Sequence, residues 1–103
     1  MEYVIGWITT RSGKRDEFMM LAEPFIAATR QEDGILFFEL HPSAGNPDLV
    51  VATEGYATAE AHERHVRTPH FAVFWEAFQR LVLDGRFENI FADRTRLDTV
   101  KFD

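Results

Sequence analysis

Three of the chain's four histidines, His62, His65 and His70, fall close together just after a strand-like run that ends Glu54-Gly55-Tyr56. An imidazole gains and loses a proton near neutral pH, which suits it to general acid–base work. Glu54 falls on an apolar strand face, where a carboxylate must be hydrogen-bonded, paired with a cation, or protonated. His65, on the inward side of the helix expected to cover that face, is the expected partner. In the catalytic reading Glu54 orients His65, and His65 removes a proton from a substrate. In the structural reading the same pair ties helix to sheet, because buried polar groups find partners whatever their role. Tyr56 shares the face of Glu54 and either hydrogen-bonds a substrate oxygen, stacks against a ring, or packs as core.

Other side chains add to this set. His70 follows Thr68-Pro69 at a helix start, where it caps, binds an anion or enters the pocket. The guanidinium fork of Arg86 suits phosphate or carboxylate, and the alternative is an arginine in solvent. His62 and His65, one helical turn apart, can hold a metal only with a nearby carboxylate. Such pairs are common without metal, so no metal and no other cofactor is expected. His41, at a strand end, carries no specific signal.

The elements that position these residues follow from periodicity. Tyr3–Thr9 is apolar on both sides, as in a strand covered on both faces, and Gly6 marks a close approach or a bulge. Ser12 is the expected N-cap of a helix from about Gly13 to Arg30, with Phe18, Leu21, Ala22, Phe25 and Ala28 on one face. Pro24 is expected to kink that helix, and Gly34 ends the segment in a positive-φ conformation. Ile35–His41 and Leu49–Tyr56 form a hairpin. With its loop centred near Gly45, Leu36 faces Glu54, Phe38 faces Ala52 and Leu40 faces Val50, all on the face of Tyr56. Ile35, Phe37, Glu39 and His41 then share the opposite face with Leu49, Val51 and Thr53. Thr58 caps a helix over Ala59–Val66, and Thr68-Pro69 opens another carrying Phe71, Phe74, Trp75, Phe78, Leu81 and Val82. Asp84-Gly85 is expected to stop it, before a fourth strand over Arg86–Phe91 with Phe87, Asn89 and Phe91 on one side. The tail from Asp93 either lies along a partner subunit or frays.

The order β-α-β-β-α(α)-β is that of a ferredoxin-like α+β fold, an antiparallel sheet with helices on one side. The helices cover one sheet face, so the other is expected to meet a second copy of the chain, giving a homodimer. The 103 residues suit one domain over 1–103 with a modest core, and 46% apolar content argues against disorder. A net charge of −6 with no basic stripe excludes a nucleic-acid partner. With no cysteine there is neither disulfide nor thiolate nucleophile. No apolar run approaches the length of a membrane span, and MEYVIGWITT lacks the basic flank of a signal peptide. The expected location is the cytoplasm.

Three stretches carry a family resemblance: Glu32-Asp33-Gly34-Ile35-Leu36-Phe37-Phe38-Glu39-Leu40, Glu54-Gly55-Tyr56, and His65-Val66-Arg67-Thr68-Pro69-His70-Phe71. Together they resemble the antibiotic biosynthesis monooxygenase superfamily of small dimeric α+β barrel proteins. The resemblance implies one of several activities: cofactor-independent oxygenation of quinols and polycyclic phenols, haem degradation, or processing of phosphorylated autoinducer-2. The spacing of Glu54, Tyr56, His65, Thr68-Pro69-His70 and Arg86 is most similar to the last branch, whose reaction is an isomerisation. Tyr56 and Ala52 stand where phenol-oxidising members tend to carry Trp and Asn. Trp75 and Gly6 stand where haem-degrading members carry His and Asn, which argues against haem.

The expected catalytic residues are His65, Glu54 and Tyr56, with Phe38, Ala52, His70, Phe71, Trp75 and Arg86 around a small-molecule substrate. The leading expectation is a cofactor-independent monooxygenase acting on an electron-rich enol, quinol or phenol. The alternatives are an isomerase of a phosphorylated diketone, marked by a phosphate against Arg86, and a non-catalytic small-molecule-binding dimer.

Overall fold

The computed structural model describes residues 1–102. Its order is β1 (Glu2–Thr10), α1 (Arg15–Thr29), β2 (Ile35–Pro42), β3 (Leu49–Tyr56), α2 (Ala59–His65), α3 (Pro69–Leu81) and β4 (Val82–Phe91). The four strands form one antiparallel sheet in the order β2-β3-β1-β4, the ferredoxin-like arrangement. Burial alternates along β1, with Val4, Gly6 and Ile8 covered and Tyr3, Ile5 and Trp7 only half-buried. Strand side chains alternate between faces, so this pattern means that one face is roofed and the other open. The roofed face packs Ile8, Val50 and Ala52 against Phe18, Ala22 and Phe25 of α1 and Phe74 and Leu81 of α3. Val4 and Tyr56 pack against Ala61 of α2. No helix lies on the open face among the described residues, and Phe37 and Ile90 are exposed there.

The two caps expected for the later helices form. Thr58 accepts from the Ala61 amide at 3.1 Å, and Thr68 accepts from the Phe71 amide at 3.2 Å, with Pro69 in the first turn of α3. The start of α1 differs from expectation, since Ser12 makes no cap and Lys14 holds the cap position. There Gly13, at φ 75°, donates to Asp48 Oδ1, and Arg15 donates to the Ser43 and Asn46 carbonyls. The helix is therefore started by its contacts with the β2–β3 turn. It continues through Pro24 to Thr29, and Gly34 has the positive φ expected of it.

The hairpin register also differs. Phe38 pairs with Glu54, Leu40 with Ala52 and Pro42 with Val50, two residues from the expected pairing, because the turn is centred on Asn46. There the Asn46 side chain accepts from the Asp48 amide and its carbonyl from Leu49. An even slip keeps every side chain on its expected face, so Phe38, Leu40, Ala52 and Glu54 still look toward the helices. A register shift between Ile35 and Phe37 reverses that parity at one place. Ile35 turns to the core and Leu36 is left 48% exposed, the reverse of the expected assignment. At the far edge, α3 passes into β4 without the expected stop at Asp84-Gly85. Pairing with β1 extends from Glu2 opposite Phe91 to Thr10 opposite Val82, so the strand begins as soon as the helix ends.

Candidate active site

Between the roofed face and the helices lies a cavity of about 340 Å³. Its walls are largely aromatic: Phe25 from α1, Phe38 from β2, Phe71, Phe74, Trp75 and Phe78 from α3, and Phe87 from β4. Among the described residues, the polar ones that line it are Glu54, His62, His65 and Asn89. Phe71, Trp75 and Phe78 stack in succession, at 6.0 and 5.2 Å between ring centroids. Trp75 is 47% exposed and so stands at the mouth. Gly6 leaves room for the Phe87 ring, whose nearest atoms lie 2.7 Å from where a Cβ would stand. The close approach expected at this glycine is thus to another side chain.

Glu54 and His65 share the cavity, but they do not bond to each other. Glu54 is buried with Val4 and Phe38 beside it on the neighbouring strands. Its Oε1 accepts from the Tyr56 hydroxyl at 2.5 Å, two residues along on the same face. Burial pushes the Glu54 carboxyl above its ordinary range, and the Tyr56 hydrogen bond only partly opposes this. Tyr56 is itself fully buried and does not line the cavity. Burial and the adjoining Glu54 push the phenol upward, so it stays protonated and serves as a donor to Glu54. The expected contact of Tyr56 with a substrate is therefore replaced by a hold on the carboxyl.

The partner of His65 is Glu32, from the turn after α1. His65 Nδ1 lies 2.9 Å from Glu32 Oε2. The imidazole is 2% exposed, with Phe38, Phe25 and Phe71 rings 5.4 to 5.5 Å away. Burial pulls the imidazole below its usual value, against the opposing influence of Glu32. With Glu32 accepting, the proton of neutral His65 sits on Nδ1 and Nε2 carries the lone pair. Among the described residues that Nε2 has no hydrogen-bond partner, yet it is not among the atoms sealed from solvent, so it opens on the cavity. Glu32 was missed in the sequence because it belongs to a turn, where no periodicity assigns a face.

A second imidazole repeats the arrangement. His62 Nδ1 lies 2.9 Å from Oε2 of the buried Glu2, and that oxygen also accepts from Asn89 Nδ2 at 2.7 Å. The His62 ring stacks on Tyr56 at 4.3 Å. His62 and His65 are thus oriented by different carboxylates and do not form one ligand pair. Glu2 shares the inward parity of Val4 and Ile8, and that alternation was its only signal in the sequence.

The remaining expected site residues divide. Phe38, Ala52, Phe71 and Trp75 line the cavity. His70 does not: its Nε2 approaches Glu32 Oε2 at 2.6 Å, and its ring borders a separate groove between α1 and α3. Arg86 pairs across from Trp7, and its guanidinium lies 4.8 Å from that ring on the open face. Phe87 and Asn89 point inward, so their neighbour Arg86 must point outward. Among the described residues the cavity lining has no Lys or Arg, so the phosphate anchor expected of Arg86 is not there.

The sequence profile described as antibiotic biosynthesis monooxygenase matches residues 1–77. The chain belongs to this family. The matched part contains Glu2, Glu32, Glu54, His62 and His65, whereas β4 with Phe87 and Asn89 lies beyond it. A crystal structure titled as a putative antibiotic biosynthesis monooxygenase from Deinococcus radiodurans superposes with a TM-score of 0.85 at 22% identity, covering 96% of this chain and 99% of that one. One of the same description from Nitrosomonas europaea gives 0.85 at 18% identity, covering 91% and 100%. A protein of unknown function from Bacteroides thetaiotaomicron, called a possible oxidoreductase, gives 0.80 at 20% identity, covering 86% and 94%. At these identities the likeness shows the fold alone. No curated protein matches the chain. No helix among the described residues is long and apolar enough to cross a membrane.

Proposed function

We propose that this family member is a cofactor-independent monooxygenase acting on a small, electron-rich enol, quinol or phenol. The observation that carries the reading is the free Nε2 of His65, opening on an aromatic cavity while Glu32 holds Nδ1. In this reading Nε2 takes the acidic proton of the substrate, and Glu32 stabilises the imidazolium that results. Glu54, whose carboxyl burial pushes above its ordinary range, offers a hydrogen bond to the developing anion when it carries its proton. The aromatic walls hold a flat substrate and exclude water.

Ground-state dioxygen reacts poorly with closed-shell molecules, but a bound enolate or phenolate can pass it one electron. Recombination of the two radicals forms the C–O bond. For a phenol or enol with an adjoining C–H, the hydroperoxide then loses water. One oxygen atom remains on carbon as a carbonyl, and the other leaves with two hydrogens from the substrate. No external reductant enters the balance.

The test is oxygen uptake with a panel of quinols and polycyclic phenols. Uptake by the native protein, lost in His65→Ala, supports the reading; no uptake above the uncatalysed rate with any member sinks it. The isomerase alternative loses its proposed phosphate anchor with Arg86 on the other face. The open face, with Tyr3, Ile5, Trp7, Phe37, Val51 and Ile90, supports a homodimer formed by sheet packing. A monomeric mass in sedimentation at micromolar concentration would count against that assembly.

A further inference from the structure

We propose that Glu32, His65 and His70 form a binding site for a first-row divalent metal ion, and that its occupation turns His65 from an acceptor into a donor at the cavity. His65 Nδ1 and His70 Nε2 both approach the same oxygen, Glu32 Oε2, at 2.9 and 2.6 Å. All three ligand atoms lie within 4.8 Å of one another. Zinc bonds of about 2.0–2.1 Å in a tetrahedron set neighbouring ligand atoms roughly 3.3 Å apart. To take an ion the two nitrogens must draw back from Glu32 Oε2 by about 0.4 and 0.7 Å, while the separation of the nitrogens from each other, at most 4.8 Å, settles toward the same spacing. Two imidazole nitrogens and one carboxylate oxygen suit Zn2+, Co2+, Ni2+ or Cu2+ rather than Mg2+ or Ca2+.

The ligands come from three separate places, the turn after α1, the end of α2 and the first turn of α3. Their convergence is thus fixed by the tertiary fold. The rings of Phe25, Phe38 and Phe71 hold the His65 imidazole, so little side-chain freedom remains to be lost on binding. Glu32 and His70 keep 13% and 25% of their side chains exposed, so the trio is open to solvent on their side, where water can serve as a fourth ligand.

Charge and protons balance without loss of a proton. Each imidazole binds the ion as a neutral ligand: the proton on Nδ1 of His65 moves to Nε2, and that on Nε2 of His70 moves to Nδ1. The cavity then meets an N–H where it had met a lone pair. This consequence rests on the proposed role of His65 as base; the metal site itself does not.

The experiment adds Zn2+ to the full chain and follows the histidine ring nitrogens by long-range 1H–15N NMR, with affinity from chelator competition. The expected result is one ion per chain, with His65 and His70 exchanging tautomers while His41 and His62 keep theirs. In folded His70→Ala and Glu32→Gln, affinity is expected to fall by about tenfold or more. Shifts confined to His41 or His62, or affinity no tighter than that of free imidazole, would overturn the site. The native-protein spectra decide this even if a variant fails to fold. If Zn2+ binds as described but leaves oxygen uptake unchanged, the switch and the base role of His65 fall while the site stands.

Discussion

Helix α2 carries two imidazoles one turn apart, and the fold treats them differently. Both present Nδ1 to a carboxylate, and both border the same cavity. His65 is enclosed by three phenyl rings, whereas His62 keeps 24% of its side chain exposed and stacks flat on Tyr56. Their carboxylates differ as well: Glu2 is shared with an amide from β4, and Glu32 with a second imidazole. Burial weakens the charged form of His65, which suits it to the proposed part of proton acceptor. The pairing of an imidazole with a carboxylate is thus not what singles out the proposed base. The surroundings of the ring do.

Removing each ring in turn tests that contrast. His65→Ala is expected to lower turnover of an oxidised quinol or phenol by roughly 10²–10⁴-fold, the usual worth of a general base. His62→Ala is expected to stay within about tenfold of the parent, the scale of one hydrogen bond in the transition state. Steady-state oxygen uptake measures both, and equal losses would erase the distinction.

Glu54 borders the same cavity as the two imidazoles, and its titration sharpens the picture. Its native carboxyl is raised above the ordinary range, so over that interval the folded chain holds a proton that the unfolded chain has released. Stability contributed here therefore falls as pH rises through the interval. Glu54→Gln is expected to melt higher than the parent near neutral pH and to converge with it in acid. Thermal melts from about pH 4 to 8 follow the difference; one that does not change with pH would show that the carboxyl is not raised.

The smallest effect is expected on the opposite face. Arg86→Ala removes the contact over Trp7, worth about 0.5–1 kcal/mol of stability at an exposed site, and should leave turnover unchanged. A raised KM in this variant would place the guanidinium at the substrate after all.

The fold was legible because strand alternation and helix periodicity each name a face. Even the misplaced hairpin register did little harm, since a slip of two residues returns each side chain to the same side. What the pattern could not supply was the place where alternation breaks, at Ile35 and Leu36, or the strand that starts without a turn at Val82. In the site, His65 and Glu54 were readable as a helix residue and a strand residue bordering one hollow. Their bonding was not, because a neighbour two residues away satisfies Glu54 and a turn residue reaches His65. Arg86 carried a warning in its own parity: with Phe87 and Asn89 on one side, it had to lie on the other. Sequence alone left open which side was roofed.

The residue beneath Phe87 has a consequence of its own. Position 6 contributes no side chain, and the phenyl group of β4 rests over it. One added methyl would stand 2.7 Å from atoms of that ring and 3.2 Å from the Ala52 Cβ, so the ring would have to shift and the shape of the hollow would change with it. The size of the hollow is thus set from β1 and β4, away from α2, β3 and the turn after α1 that hold His65, Glu54 and Glu32, so the size of molecule admitted can change without rebuilding the proposed chemistry.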